Sequence, residues 1–214
     1  DKNKEIIDSI TYAKRIQEAI LPPESMFASI LPNSFVLYKP KDIVAGDFYW
    51  LEKVDDWIFL AAADCTGHGV PGAMVSVVCS GALTRSVREF GLRTPSEILD
   101  RTALIVDETF EKSEEEVKDG MDIALLAINL KSKQIQWAGA NNPLWVISSG
   151  SVDSKSVDIN APNSSLNDLN LFEIKGDKMP IGRFPNRTLY TNHTAQLQTG
   201  DSIYLFSDGL VDQF

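Results

Sequence analysis

Trp57-Ile58-Phe59-Leu60-Ala61-Ala62-Ala63-Asp64-Cys65-Thr66-Gly67-His68-Gly69 runs from an apolar stretch through an aspartate into a glycine loop. Branched and aromatic residues over this length, ended by glycine, read as a buried β-strand. A carboxylate at such an end is held rigidly, while the glycines let backbone approach whatever it binds. The pattern recurs twice. Ser202-Ile203-Tyr204-Leu205-Phe206 leads into Ser207-Asp208-Gly209, and Ala45-Gly46-Asp47 adjoins the apolar Phe48-Tyr49-Trp50. Each alone reads equally as a turn. Three carboxylates converging with few basic neighbours would repel one another, and a hard divalent cation with oxygen ligands removes that cost. Together Asp47, Asp64 and Asp208 point to a metal site.

Outward from this strand the chain alternates in a readable order. Residues 3 to 20 form a candidate helix stopped by Pro22-Pro23, since proline cannot continue a helix and restrains the residue before it. Ile6, Ile10, Ala13, Gln17 and Ile20 make one apolar stripe with a polar interruption. Such a stripe either lies on its own domain or pairs with its copy in another subunit. Apolar runs at 35–38, 48–53 and 57–63 read as strands. Pro71 then opens a long helix with Met74, Val77, Val78, Gly81, Ala82 and Val87 at helical spacing, ending near Gly91. Thr94-Pro95-Ser96-Glu97 starts another, with Ile98, Leu99, Ala103, Val106 and Phe110 on its apolar face. Glu111 to Glu116 reads as a solvated helix end. Residues 121–130, 134–139 and 144–149 read as an antiparallel meander, Ser148 to Asn170 as a flexible hairpin and loop, and 171–175, 188–191, 195–198 and 202–207 as further strands. Strands, two helices, then many strands predict an α+β fold: two packed, mainly antiparallel sheets flanked by helices.

A length of 214 residues suits one domain with a sizeable core. The net charge of −10 argues against a nucleic-acid surface, which needs clustered Lys and Arg, and fits a cluster of metal-binding acids. No apolar stretch approaches the ~20 residues of a membrane span, and no signal-peptide pattern opens the chain. Cys65 and Cys79 read as two reduced, partly buried thiols, which places the protein in the cytoplasm. The glycosylation sequons at Asn163, Asn186 and Asn192 carry no meaning without secretion.

Six pieces in order resemble the metal-dependent serine/threonine phosphatases of the PPM (protein phosphatase 2C-like) type, in the bacterial sporulation and stress-response branch. They are Ala45-Gly46-Asp47-Phe48-Tyr49-Trp50, Asp64-Cys65-Thr66-Gly67-His68-Gly69 with Pro71-Gly72-Ala73, Met121-Asp122-Ile123-Ala124, Ala138-Gly139-Ala140-Asn141-Asn142-Pro143-Leu144, Met179-Pro180-Ile181-Gly182 and Ser207-Asp208-Gly209-Leu210. The resemblance covers residues 12 to 214 and implies the same αββα sandwich, with metals at one edge between the sheets. Residues 1–23 are then a linker or dimerisation helix and 24–214 the phosphatase domain.

The resemblance implies two Mn²⁺ or Mg²⁺ ions and a water nucleophile. Two such ions about 3.5–4 Å apart lower the pKa of a bridging water, screen the phosphoryl charge and fix in-line geometry. Asp64 is the expected bridge, Asp47 a ligand of one ion and Asp208 of the other, with the carbonyl of Cys65 as a further donor. The Cys65 thiol is assigned nothing, being too soft for these ions. His68 is either a general acid toward the leaving oxygen or a solvent-facing loop residue. Asn141 and Asn142 either meet substrate or form the turn before Pro143. Asp122 either joins the acids or caps a turn, and Arg183 is a possible phosphate contact. The family pattern also includes an Asp-Asp pair beyond Asp208. This chain ends at Val211-Asp212-Gln213-Phe214, and Asp55-Asp56 precedes the bridging strand, so the expectation is a truncated domain with one ion weakly held.

The resemblance implies a phosphorylated regulatory protein as substrate, such as an anti-sigma-factor antagonist. The expected assembly is a homodimer through the N-terminal helix. The alternatives are a phosphatase-like interaction module without catalysis and a small-molecule phosphoesterase.

Overall fold

The computed structural model describes residues 2–111, 119–150, 153, 154, 162 and 164–210. Trp57–Cys65 is strand β2, lying between β1 (Phe48–Val54) and β3 (Met121–Asn129). Asp64 is thus inside the strand, one residue from its end. Asp55-Asp56 forms the hairpin turn at the opposite end, more than about 25 Å along the strand from Asp64, with Asp55 at φ +55. Beyond β3 come β4 (Gln134–Ala140), β5 (Leu144–Ser148), β6 (Asp153–Ser154), β7 (Ser164–Leu166), β8 (Leu169–Ile174), β9 (His193–Gln196) and β10 (Ser202–Leu205). Two sheets result, ordered β1-β2-β3-β4-β9-β6 and β10-β5-β8-β7, and every ladder in them is antiparallel.

Side chains alternate across a strand, so β2 and β3 serve two cores at once. Phe59, Ala61, Ala63 and Cys65, with Ile123, Leu125 and Ala127, face helices α3 (Gly69–Arg88) and α4 (Pro95–Phe110), meeting Cys79, Leu83, Val87, Ile98, Leu99 and Val106. On the other face Leu126, with Ile135 and Trp137 of β4, packs on Leu144, Val146, Phe172 and Ile174 of the smaller sheet. Where the smaller sheet stops, α2 (Glu24–Ile30) covers the inner face, Phe27 resting on Leu51 and Ile58. Each fully buried aliphatic side chain stabilises the fold by roughly 1.5–3 kcal/mol. The architecture is the expected α+β arrangement of two antiparallel sheets with flanking helices.

Helix α1 (Lys2–Ile20) docks by its C-terminal half against α3. The polar interruption of its stripe, Gln17, is its one buried residue, while Ile6, Ile7, Tyr12 and Ile16 are exposed. Several expectations need correction. Residues 35–38 are not a strand: Phe35 and Leu37 project into solvent with no strand beside them. Residues 188–191 are not a strand either, because side chains rather than a ladder take their amides: Asp100 accepts from Tyr190 N–H and Asp177 from Thr191 N–H. Helix α3 buries Val75, Ser76, Cys79, Ser80, Ala82, Leu83, Ser86 and Val87, whereas Met74, Val77 and Gly81 face outward. α3 is also long and apolar enough, by length and composition, to cross a membrane, contrary to the reading of the bare sequence; here it is a core helix against the large sheet and α4. Most of the acidic run after Glu111, the sequon at Asn163, much of the 148–170 loop and the tail from Val211 lie outside the described residues.

Candidate metal centre

Register brings the acids together. β1 and β2 pair Phe48 with Ala63, and continuing one residue sets Asp47 opposite Asp64; β2 and β3 pair Asp64 with Asp122. All three belong to the face that looks toward the smaller sheet. Asp208 arrives from that sheet, opening a 3₁₀ turn (Asp208–Leu210) just beyond β10. Both Asp47 and Asp208 come within hydrogen-bonding reach of Asp64. Burial, then hydrogen bonding and charge from Asp47, then the charge of Asp208, push the Asp64 carboxyl from 3.8 up to about 8.

The surroundings fix these acids from several sides. Ser207 Oγ donates to Asp47 Oδ2 at 2.7 Å, and Tyr38 Oη donates to the Asp47 carbonyl at 3.1 Å. Burial, and next the charge of Asp47, push the Tyr38 hydroxyl up to about 12, so it remains a donor at neutral pH. A Cβ on Gly46 would stand 2.7 Å from the Gly67 carbonyl oxygen and 2.8 Å from that of Cys65. A Cβ on Gly72 would collide with the same Gly67 carbonyl, and lie 3.1 Å from Gly46 Cα. Three glycines from three segments therefore let backbone meet backbone beside Asp47. Gly67 also needs its φ of +83, which side-chain-bearing residues rarely adopt.

Carboxylates and a backbone carbonyl make an all-oxygen set suited to Mg²⁺ or Mn²⁺. Among the described residues no group of three or more His, Cys, Asp or Glu lies close enough together, as placed, to hold a metal ion. The Cys65 thiol points to the helix side and bonds with Cys79, and that contact, with burial, pushes it far up. Both cysteines are free and buried. Cys65 is thus available only through its carbonyl.

Other candidates separate from the acids. The His68 side chain is 94% exposed and faces Asp42 at 3.3 Å, at the start of α3. Asn141 sits at φ +59 in the turn after β4 and donates through Nδ2 to Asp122 Oδ1 at 2.7 Å. Asn142 is buried in the same turn. Asp122 joins the acids more closely than a turn role implies. Burial raises its carboxyl, Asn141 lowers it, and Asp208 raises it again. Arg183 lines a different cleft, of about 200 Å³, with Asp107, Phe110, Glu111 and Asp119. Two contributors escaped the sequence reading. Asp119 accepts from Thr66 Oγ at 2.8 Å, tying the loop after Asp64 to the start of β3, and Gln17 reaches the segment before Asp47. For Asp119 no local pattern gave a signal; for Gln17 only its place in an apolar stripe hinted at it.

A family model for Stage II sporulation protein E (SpoIIE) matches residues 55–214. Among solved structures, the SiaA-PP2C domain of Pseudomonas aeruginosa aligns over 100% of this chain and 76% of its own, at 30% identity and TM-score 0.80. The PP2C phosphatase domain of SpoIIE from Bacillus subtilis, solved with a fragment of its regulatory domain, aligns over 78% of this chain and 41% of its own, at 18% identity and TM-score 0.56. RsbX, solved in complex with magnesium, aligns over 79% of this chain and 69% of its own, at 18% identity and TM-score 0.51. No curated protein sequence matches the chain at a significant level.

Proposed function

Because the chain belongs to the SpoIIE family of bacterial PP2C-type phosphatases, we propose that it is a metal-dependent protein serine/threonine phosphatase whose centre is built on Asp47, Asp64 and Asp208. The observation that carries this reading is the convergence of the three aspartates, with Asp47 and Asp208 both within hydrogen-bonding reach of Asp64. Asp64 lies between the other two and would be the residue shared by both ions. Asp47 and Asp208 each complete one side, and the Cys65 carbonyl faces the Asp47 loop. When bound, two Mn²⁺ or Mg²⁺ ions supply an activated water and screen the phosphoryl charge. The protein's own groups do the positioning. Ser207 orients the Asp47 carboxylate, Tyr38 holds its backbone, and the glycine contact sets how closely the two loops approach.

The substrate class we assign is a phosphoserine or phosphothreonine on a regulatory protein of the anti-sigma-factor-antagonist kind. Relatives named for the RsbU and RsbW domains of a Mycobacterium tuberculosis protein and for the bacterial stressosome support a partner of that type. Two free buried thiols fit a reducing cytoplasm. Of the α1 stripe, Ile6 is exposed and Ile10, Ala13 and Ile20 are partly so, which leaves them free to form a homodimer seam, while Gln17 is buried within this chain.

The test is direct. Manganese titrated into the chain should bind by calorimetry and switch on phosphate release from a phosphoserine peptide. A chain that does neither overturns the reading and leaves a non-catalytic interaction module.

A further inference from the structure

We propose that Gln17 is a positioning residue for the metal centre, holding from α1 the backbone segment that presents Asp47. This inference rests on the function proposed above. Segment 45–47 precedes β1, so no strand ladder takes up its backbone groups. Gln17 does so instead. Its Oε1 accepts the Ala45 N–H at 3.1 Å, and its Nε2 donates to the Ala45 carbonyl at 2.5 Å. One primary amide thereby closes both polar groups of one residue, as a neighbouring strand would. The second Nε2 proton goes to Ser76 Oγ at 3.0 Å, and Ser76 Oγ donates in turn to the Ala73 carbonyl at 2.8 Å. Ser76 lies on α3, the helix that continues from the loop after Asp64. The side chain therefore joins, at one point, the segment leading to Asp47 and the helix leading away from Asp64.

The cost of this arrangement marks it as specific. Gln17 is 4% exposed in a helix whose other described residues are partly or fully exposed, and Ala45 is 8% exposed. Burying a primary amide is unfavourable unless its hydrogen bonds are remade, and an aliphatic residue would extend the apolar stripe without that burden. An aliphatic residue would also leave the buried Ala45 N–H and carbonyl unpaired. Hydrogen bonds fix direction where apolar contact does not, so the amide sets the position of Ala45 rather than merely covering it. Asp47 is then restrained on both sides: Ser207 and Tyr38 act on it directly, and Gln17 acts two residues upstream through Gly46, which has no side chain to pack by itself.

The experiment compares wild type, Gln17→Met and Ser76→Ala in the full chain, all confirmed folded by thermal melts. The probe is Mn²⁺, followed by calorimetry, by the manganese dependence of phosphopeptide hydrolysis, and by amide exchange without metal. Gln17→Met should weaken manganese binding about tenfold, the scale seen when a group that orients a metal ligand is lost. At saturating manganese its kcat should recover to within about twofold, because the acids themselves are intact and only their placement has loosened. Exchange should quicken at the Ala45 and Asp47 amides while that of Leu125 in β3 stays slow. Ser76→Ala, which keeps both bonds to Ala45, should shift manganese affinity less than Gln17→Met. A folded Gln17→Met with wild-type manganese affinity and unchanged Ala45 exchange overturns the proposal, as does a fall in kcat at unchanged affinity. If Gln17→Met does not fold, Gln17→Asn, which keeps the amide on a shorter stem, is read by the same criteria. A wild-type chain that neither binds manganese nor releases phosphate overturns the proposed function instead, and the exchange measurement still decides whether Gln17 fixes Asp47.

Discussion

The two faces of β2 differ in shelter and end in opposite chemistry: the helix side is buried from Phe59 to Cys65, whereas the sheet side is only half-buried beyond Ile58. On the helix side Phe59, Ala61 and Ala63 lead to Cys65, whose thiol closes against Cys79 in an unbroken apolar layer. On the sheet side Ile58 and Leu60 lead to Asp64, where the layer gives way to carboxylates from Asp47, Asp122 and Asp208. One strand thus carries its own foundation: the face that cannot afford charge holds rigid the face that collects it. The difference teaches that the site begins where the shelter of the inner face thins, at Leu60 to Asp64. Across the register that thinned face sets acid beside acid, which the fully buried face never does.

Asp64→Asn breaks the comparison most sharply, by making the acid face neutral. Phosphatase activity with saturating manganese should fall by more than the ~10–100-fold typical of losing a group that merely orients a ligand. Metal-free stability should move the other way. The folded carboxyl is raised from 3.8 to about 8, so the folded state binds more protons than the unfolded chain between those values. Its contribution is intact below about pH 4 and is lost as pH rises through about 8. The gain in Tm of the Asn variant in chelator should therefore grow across that window and level off above it. A wild-type rate in the Asn variant would remove Asp64 from the centre.

Leu125→Ala attacks the opposite face. Leu125 is fully buried beneath the helices, and its loss should destabilise by ~2–5 kcal/mol in urea melts, with the manganese affinity of the folded fraction unchanged. Gly46→Ala tests the boundary between the faces. Its new methyl meets two backbone carbonyls that have no rotamer to yield, so a cost of ~1–3 kcal/mol should accompany weaker manganese binding. A Gly46→Ala protein with full affinity would show that this close approach is not needed by the site. The smallest effect belongs to the far end of the inner layer, where His193 lies 5.1 Å from Trp137 ring to ring. Burial pushes its imidazole below the usual 6.5, with Asp177 opposing. Its contribution is therefore complete above about pH 6.5 and declines as pH falls through the lowered value. The group is half-buried, so His193→Phe should flatten the acid limb of the stability profile by less than ~1 kcal/mol, read as Tm against pH.

Strands β2 and β3 were legible because their apolar runs are long and carry branched residues on both faces. Asp47, Asp64 and Asp208 were legible because each adjoins such a run. The face of α3 was not. Its contacts run through Ser76, Ser80, Ala82 and Ser86, small residues chosen for close approach to the sheet and α4, while the more conspicuous Met74 and Val77 look outward. Helix α2 escaped because seven residues with one buried anchor, Phe27, give no periodicity to read. The runs at 35–38 and 188–191 have strand composition without a partner edge, and composition alone does not supply one. Asp122 was only half legible: its alternation with Asp64 depends on the pairing of β2 with β3, a long-range fact.

The meeting of Gly46, Gly67 and Gly72 has a consequence for how the centre ages and adapts. The gap between the Asp47 segment and the loop after Asp64 is set by bond lengths and atomic radii, with no χ angle anywhere in it. Warming, which frees side chains to hop between rotamers, has no lever on that gap, so the spacing works as a fixed gauge. The same construction denies gradual adjustment: every amino acid other than glycine overshoots it, and selection can keep the gauge or discard it but cannot reset it.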